Sequence, residues 1–362
     1  MNKQEIVRIF FNRGKLLTAD ALDFLENAGQ IPEKEYTGLV LTEKDFQEKE
    51  KDTVRVLKHL EKKPAETTTE DFVKFYTAKY EKMKSVILSR IQKDFVSLNK
   101  LDSTRSEVYV LGIVKDIKDG EKKIVELEDL TGSAPVIFDD IEGLELDDVV
   151  AIRAVSAGKV LYGKEVIYPD IPLRKPATGF GKACFISDLH LDESPKQDAE
   201  KFFGWFENQD IKYLFIAGDI CNKKALEDLI NRYCFGKKVF VTPGEKDSDS
   251  EYPNLAETMQ NKNTIPLSNP AMVEVNGVKI LMIHRFGMDM LKKRYLGKSK
   301  LITPDDYLVL EEVPDIVHCG HTHEPHVMNY KSVTIVNSGS PLKEFRPVVV
   351  DFATREVVQV KL

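Results

Sequence analysis

The chain has few cysteines and no long apolar segment, and both shortages narrow the classes of protein to which it can belong. Its four cysteines are scattered along 362 residues, at Cys184, Cys221, Cys234 and Cys319. This spacing does not suggest a disulfide framework, so we expect reduced, structural thiols. No apolar run approaches the roughly 18 residues needed to cross a bilayer, and the start of the chain lacks the apolar region of a signal peptide. We therefore expect a cytoplasmic protein without a membrane anchor.

Basic residues are also outnumbered by acidic ones, since the chain has 52 Lys and Arg and 59 Asp and Glu, which gives a formal net charge of -7. Affinity for DNA at physiological salt depends on clustered Lys and Arg. The composition therefore argues against an extensive nucleic-acid surface, and any DNA contact would be local or shared with a partner that carries the basic groove. With 42% hydrophobic residues, the chain is long enough for two or three domains with apolar cores.

What the chain does contain is a series of short apolar strands, each of which ends in an acidic or imidazole side chain. The first, 183–187, is followed by Asp188 and His190. Four further strands are followed by Gly218-Asp219, by Pro243-Gly244-Glu245-Lys246-Asp247, by His284 and by Gly320-His321-Thr322-His323. Open α/β sheets place their sites at the carboxyl ends of strands. The pattern therefore predicts one site built from five loops.

The residue types in these loops indicate a centre for two divalent metals. Mixed Asp and His ligands suit Mn, Fe or Zn better than Mg or Ca. Two such ions, about 3.5–4 Å apart, can clamp the attacking and leaving oxygens of a phosphodiester. A carboxylate is needed to bridge them, and Asp219 is the natural candidate. The glycines before Asp219 and His321 allow the backbone to turn sharply near the ions.

The motifs DLH, GD, PGEKD, an isolated His and GHTH together resemble those of the calcineurin-like metallophosphoesterases, whose pattern is DxH, GD, GNHD, H and GHxH. Within that family, the segments LVLEEVPDIVHCGHTH, YKSVTIVNSGS and HRFGMDML are similar to the small subunits of archaeal D-family DNA polymerases. The resemblance implies an αββα sandwich over residues 173–362 and two metals, of which Mn is preferred and Fe or Zn are alternatives. It also implies seven ligands, namely Asp188, His190, Asp219, Glu245, His284, His321 and His323.

The chain departs from the family pattern at two positions. Glu245 stands where the family has Asn, and it would ligate as a charged donor on a longer stem. Lys246 stands where the family has a His that stabilises the transition state or protonates the leaving oxygen. A lysine with an ordinary pKa near 10.4 is charged at neutral pH and is a poor proton donor. We take Lys246 and Asp247 as candidate catalytic residues, and we expect metal binding to be better preserved than nuclease activity.

The first part of the chain predicts a small module without chemistry of its own. Residues 1–60 carry apolar residues at helical spacing, with Thr18 as a helix N-cap and Gly29 as a stop. Residues 61–69 are polar and are predicted to be a linker. The resemblance adds that such an N-terminal helical region recruits other replication proteins, so we expect a docking module.

The middle of the chain predicts a helix followed by a barrel. Residues 70–105 open with an amphipathic helix whose lysines, together with Arg90, should lie on a solvated face. Residues 106–172 form five or six short alternating strands, which fit a small closed barrel of the OB type. After the metal motifs, residues 333–336, 348–352 and 357–360 read as paired strands that would form the second sheet of the sandwich.

Three functions remain open at this point. The resemblance implies the small subunit of a two-subunit archaeal replicative DNA polymerase that is also a metal-dependent 3′ to 5′ exonuclease. Its partners would then be the large catalytic subunit and the 3′ end of a DNA primer. The second possibility is a non-catalytic scaffold subunit of the same polymerase. The third, a stand-alone metallophosphatase or phosphodiesterase, has no need of the long helical and barrel-like first half.

Overall fold

The computed structural model describes residues 2–31, 36–43, 46, 51–62, 67–102, 104–193, 196–248, 251–299, 301–303 and 305–362. The chain divides into two compact units, Met1–Asp52 and Thr53–Leu362. Among the described residues, no helix is both long enough and apolar enough to cross a membrane.

The smaller unit consists of two amphipathic helices and a short pair of parallel strands. Its elements are α1 (Lys3–Asn12), β1 (Leu16–Leu17), α2 (Ala19–Ala28) and β2 (Val40–Leu41). Thr18 is the N-cap residue of α2, and Gly29 ends this helix in the left-handed conformation, at φ 71°. The apolar helix faces meet around Phe10, whose ring contacts Tyr36 and Phe46 edge-on. The middle of the predicted linker, 63–66, lies outside the described residues.

The larger unit begins with a strand, a long helix and a closed five-stranded barrel. These elements are β3 (Val54–Lys58), α3 (Thr69–Arg90), β4 (Glu107–Lys118), β5 (Lys123–Asp129), β6 (Gly132–Phe138), β7 (Val149–Ala157) and β8 (Val160–Ile167). The barrel closes in the order β4-β5-β6-β8-β7 around an apolar core that includes Val110, Val136 and Ile152. A closed barrel of short strands is therefore present, and its assignment to the OB class stays a prediction.

Lys79 and Lys82 of α3 do not lie on a solvated face, which corrects the expectation from sequence for these two residues, whereas Lys74 and Arg90 are exposed. Lys79 is 3% exposed, and its Nζ lies 3.7 Å from the centre of the Tyr295 ring. Lys82 pairs with Glu311 at 2.9 Å, and the Arg90 guanidinium donates to backbone carbonyl oxygens just beyond the barrel. The counter-charges and the aromatic ring come from distant parts of the chain. This helix therefore links the barrel to the domain that follows.

Two facing sheets make up the rest of the unit. In chain order their elements are β9 (Lys182–Ser187), α4 (Lys196–Glu207), β10 (Tyr213–Ala217), α5 (Lys223–Tyr233), β11 (Lys238–Thr242), β12 (Thr264–Pro266), β13 (Ala271–Val275), β14 (Val278–Met282), α6 (Asp289–Lys293), β15 (Ile316–Cys319), β16 (Pro325–Tyr330), β17 (Val333–Ser340), β18 (Glu344–Phe345), β19 (Val348–Asp351) and β20 (Val357–Gln359). The first sheet has the order β12-β11-β10-β9-β19-β20. The second has the order β16-β17-β15-β14-β13-β3, with β18 paired to β17.

Large aromatic side chains fill the space between the sheets. The Phe215 ring stacks on Phe185 at 4.9 Å and on Phe240 at 4.5 Å, and all three are fully buried. Helices α4 and α5 cover the outer face of the first sheet. The outer face of the second sheet packs against α6 and irregular segments that supply Leu296 and Leu308. The fourth layer of the expected αββα sandwich is thus mostly irregular rather than helical.

Of the strands predicted for the second sheet at 333–336, 348–352 and 357–360, the first is confirmed as part of β17, the other two lie elsewhere, and β3 is a strand that the sequence does not predict. Strand β19 pairs antiparallel with β9, and β20 pairs with β19, so both extend the first sheet and not the second. Strand β3 falls within the predicted module 1–60, yet it pairs with β13 in the second sheet. Apolar alternation predicts that a strand forms, but it does not identify the neighbouring strand.

Replacing Phe215 by alanine is expected to lower the free energy of unfolding by about 3–5 kcal/mol, because a buried ring between two sheets leaves a cavity that they cannot close. Phe235→Ala is the matched control, since Phe235 is 94% exposed. Urea unfolding can be followed by the fluorescence of the single tryptophan, Trp205, which packs against the core beneath α4. Equal losses in the two variants would contradict the packing described above.

Candidate metal centre

The predicted site residues lie in five loops at one edge of the two facing sheets. In the first sheet, β9, β10 and β11 are parallel and in register, so they end side by side at Ser187, Ala217 and Thr242. In the second sheet, the parallel strands β14 and β15 end at Met282 and Cys319. The loops that follow these five strands carry the motifs, as the sequence predicts.

The backbone of these loops adopts uncommon conformations. The angle φ is positive at five of the seven predicted ligands: Asp188 (54°), His190 (44°), Asp219 (47°), His321 (71°) and His323 (58°). Such conformations cost about 1–3 kcal/mol each and persist where the surroundings enforce them, often at functional sites. Two glycines are needed for close approach, because a Cβ on Gly218 would overlap the His284 ring and one on Gly320 would overlap the Asp188 carboxylate.

Four of the predicted ligands converge on one point. The Nε2 atoms of His190 and His323 are 3.0 Å apart. Asp188 Oδ1 lies 3.4 Å from His323 Nε2, and Asp219 Oδ2 lies 4.0 Å from His190 Nε2. One ligand atom from each of these four residues lies within 4.8 Å of all the others. We call Asp188, His190, Asp219 and His323 the first group.

Of the remaining predicted ligands, His284 lies beside the other oxygen of Asp219, His321 lies next to His284, and Glu245 lies next to His321. His284 Nε2 is 3.5 Å from Asp219 Oδ1. The His321 ring is 5.6 Å from the His284 ring, and its Nδ1 is 3.8 Å from Glu245 Oε2. We call Asp219, Glu245, His284 and His321 the second group. Asp219 thus presents one oxygen to each group, which is the arrangement expected of a bridging carboxylate.

Several nitrogens in the two groups are directed at the position a cation would take. His284 Nδ1 is 2.9 Å from the Ala217 carbonyl oxygen, to which it donates. His284 Nε2 is buried and makes no hydrogen bond within the described part of the chain. His190 Nδ1 is 3.3 Å from Cys221 Sγ, which leaves its Nε2 facing that of His323. Divalent transition metals bind such unpaired imidazole nitrogens alongside carboxylates, so the residues present fit the group that the sequence predicts.

Burial and mutual attraction shift the pKa values of the charged residues. Burial raises the pKa of Asp188 to about 6. Burial alone would lower the pKa of His284, but the Asp219 and Asp188 carboxylates raise it to about 9. Burial likewise opposes ionisation of Asp219, yet the His284 imidazolium holds the pKa of Asp219 well below its usual range. His284 is therefore a buried cation in the absence of metal, and it must lose its proton before it can ligate.

The two candidate catalytic residues, Lys246 and Asp247, contact the site through backbone N–H groups. The Asp247 carboxylate accepts hydrogen bonds of 2.7–2.8 Å from three backbone N–H groups, those of Ile220, Cys221 and Gly244. It therefore ties the loop after β10 to the loop after β11. The Lys246 backbone N–H donates to Asp219 Oδ1 at 3.0 Å, whereas its ammonium lies 3.7 Å from Glu193 Oε1.

Two side chains at the site were not singled out from sequence. Asn269 Oδ1 accepts a hydrogen bond of 3.1 Å from the His284 backbone N–H, and no sequence pattern indicates this contact. Arg285 Nη1 lies 3.8 Å from Glu245 Oε1. The sequence signal for Arg285 is its position directly after a predicted ligand, together with a positive charge able to neutralise Glu245.

Known proteins resemble this chain over different spans. Residues 182–358 match the calcineurin-like phosphoesterase superfamily domain. The DNA polymerase II small subunit of Archaeoglobus fulgidus is 26% identical to this chain, over 77% of this chain and 72% of its own length. That of Methanothermobacter thermautotrophicus is also 26% identical, over 75% and 72%. Among solved structures, an archaeal phosphodiesterase aligns with 50% of this chain and 99% of its own, at 18% identity and a TM-score of 0.36.

Metal binding should release a proton near neutral pH, because the pKa of His284 is raised to about 9 and only the neutral imidazole ligates. Between pH 9 and pH 6 the apparent affinity for Mn should therefore fall by about tenfold per pH unit. Below about pH 6 it should fall more steeply, since Asp188 then takes up a proton as well. Calorimetric titration in two buffers of different ionisation enthalpy measures the proton release. An affinity that is constant between pH 7 and pH 8 would contradict this assignment.

Proposed function

We propose that this chain, whose residues 182–358 belong to the calcineurin-like phosphoesterase superfamily, is the small subunit of a two-subunit archaeal replicative DNA polymerase and carries a 3′ to 5′ exonuclease site. Its partners would be the large catalytic subunit and the 3′ end of a primer. The smaller unit, Met1–Asp52, would recruit further replication proteins. The protein would act in the cytoplasm.

The observation that supports a phosphodiesterase site is the arrangement of the two groups about Asp219, with one carboxylate oxygen toward each. The first group would hold one divalent ion and the second group another, with Mn preferred and Fe or Zn as alternatives. When bound, such a pair of ions supplies an activated water and stabilises the charge that develops on the phosphodiester oxygens. The imidazoles and carboxylates of the two groups suit these metals better than Mg or Ca.

Other residues of the chain would orient the ligands. The Ala217 carbonyl fixes the direction of the His284 ring, and Cys221 does the same for His190. We assign Lys246 and Asp247 to positioning, because Lys246 holds Asp219 through its backbone N–H and Asp247 braces the neighbouring loops. Lys246 is then not the proton donor that the family places there. General acid catalysis is worth about 10²- to 10⁴-fold in rate, so we expect a slow nuclease.

The small number of basic side chains free to bind phosphates favours a single-stranded over a duplex DNA substrate. The formal net charge is -7, and Lys79 and Lys82 of α3 are engaged within the protein. Stable binding of duplex DNA needs many phosphate contacts, so the large subunit would have to supply them. The site itself would then receive only a frayed, single-stranded 3′ end.

Replacing Asp219 by asparagine, or His323 by alanine, should reduce Mn-dependent release of nucleotides from a single-stranded 3′ end by more than about 100-fold, because second-shell changes at metal sites alone cost 10- to 100-fold. The matched control is His326→Ala. His326 lies three residues beyond His323, and its ring contacts the Glu324 carbonyl oxygen. The chain is assayed alone and with its large subunit. Wild-type activity no greater than that of Asp219→Asn in both assays would refute the exonuclease.

Restoring the family motif separates a slow nuclease from a scaffold. The double substitution Glu245→Asn and Lys246→His supplies the amide ligand and the proton donor, and it should raise the rate by about 100-fold or more over a measurable wild-type rate. Mn content, measured on the same samples, should stay unchanged. Activity that appears only in the doubly substituted chain would identify the natural subunit as a scaffold.

A further inference from the structure

The side chains of Glu245 and Lys246, the two residues that depart from the family motif, point in different directions. Lys246 follows Glu245 in sequence, but its ammonium lies 3.7 Å from Glu193. The cation that faces Glu245 is Arg285, whose Nη1 is 3.8 Å from Glu245 Oε1. The other oxygen of Glu245 lies 3.8 Å from His321 Nδ1. Glu245 therefore stands between a predicted metal ligand and a guanidinium.

Arg285 is anchored at the edge of the site by its neighbour in the chain. It directly follows His284, which is fixed through its backbone N–H by Asn269 and through its ring by Ala217. The Arg285 side chain is 71% exposed. Among the residues that the structure describes, none accepts a hydrogen bond from its guanidinium. Its planar set of N–H donors is thus available to a ligand.

Arg285 also lines a cleft that leads to the second group. The cleft has a volume of about 450 Å³, and its walls include Glu245 and His284. Met290 and Leu296 supply apolar surface in the same cleft. A phosphate bound beside the second group would lie within reach of the guanidinium, and the attached sugar would face the apolar wall.

We propose that Arg285, and not Lys246, is the residue that contacts the substrate phosphate, and that Glu245 positions it. A guanidinium can give two parallel hydrogen bonds to two oxygens of a phosphate, whereas an ammonium acts as a point charge. Glu245 uses one oxygen to restrain Arg285 while the other remains on the side of His321. The inference rests on the phosphodiesterase site proposed above.

The first test is the dissociation constant of inorganic phosphate for the full chain loaded with Mn, measured by calorimetric titration. Arg285→Ala should weaken phosphate binding by about tenfold or more, because a charged donor pair is lost, and Arg285→Lys should recover part of that loss. Lys246→Ala should change the constant by less than about twofold, as should Lys201→Ala, a surface control whose partner is Asp198.

Three results would overturn the assignment. The first is a phosphate affinity in Arg285→Ala within twofold of the wild type. The second is a loss in Lys246→Ala as large as that in Arg285→Ala. The third is a fall in Mn content in Arg285→Ala that accounts for the weaker binding, since Arg285 would then act on the metals. No step of this titration requires turnover, so a failed exonuclease assay refutes the proposed function while phosphate binding still decides the role of Arg285.

The positioning role of Glu245 is tested by a double-mutant cycle. Glu245→Gln keeps an amide oxygen for a metal but removes the charge that restrains Arg285. Phosphate binding should respond to this change about threefold less favourably in the wild-type background than in Arg285→Ala, where the lost negative charge alone acts and strengthens binding, because in the wild type Glu245 and Arg285 act as one unit. Equal effects in both backgrounds would show that Glu245 does not act through Arg285.

Discussion

The buried contact between His284 and Asp219 is the constraint on which the rest of the structure depends. His284 comes from the second sheet and Asp219 from the first, and His284 Nε2 lies 3.5 Å from Asp219 Oδ1. Burying charge is costly unless an opposite charge and further hydrogen bonds accompany it. Neither sheet supplies both partners at this point, so the sheets must face each other with their carboxyl ends at the same edge.

The positive φ angles and the close approach of glycines follow from the same requirement. Asp188, with no exposed surface, accepts the backbone N–H of His321 at 3.0 Å, which draws the last metal motif onto the first. A Cβ at Gly320 would overlap that carboxylate. The loops therefore adopt conformations that would be unfavourable in isolation, because they compensate a charge that has no access to water.

The candidate site was largely predictable from sequence because parallel strands in register end together. Once Asp188 and Asp219 are assigned to strand ends, their proximity follows from the register of β9 and β10, whereas the proximity of His321 depends on how the second sheet faces the first. Side-chain direction did not follow. Asp247 occupies a motif position, but its carboxylate accepts hydrogen bonds from backbone N–H groups. Lys246 contacts Asp219 through its backbone N–H and not through its ammonium. These directions depend on loop geometry, which the motif does not encode.

The fold was predictable as a set of elements but not as a set of neighbours. Strand β19 is expected from its apolar sequence, whereas β3 lies in a region that is predicted to be helical, and the partners of both strands lie far away in sequence. Likewise, Lys79 on α3 appears solvated when the helix is considered alone. It is buried because Tyr295 and Asp306, more than 200 positions downstream, pack beside it. Contacts between residues so far apart in sequence cannot be detected in the local hydrophobic periodicity.

The replacement of Asn-His by Glu-Lys looks neutral in sequence, because one added charge of each sign lies in adjacent positions. In space the two charges separate, since Lys246 pairs with Glu193 while Glu245 faces the second group. In the proposed centre, the ligand set would hold three carboxylates instead of two, which would lower the net charge of a centre with two divalent ions by one. A phosphodiester would be attracted less strongly. Arg285 lies beside Glu245. Its positive charge offsets the added carboxylate at the edge of the same site. In the proposed site, the positive charge that faces the substrate is therefore supplied by Arg285 and not by the residue at position 246.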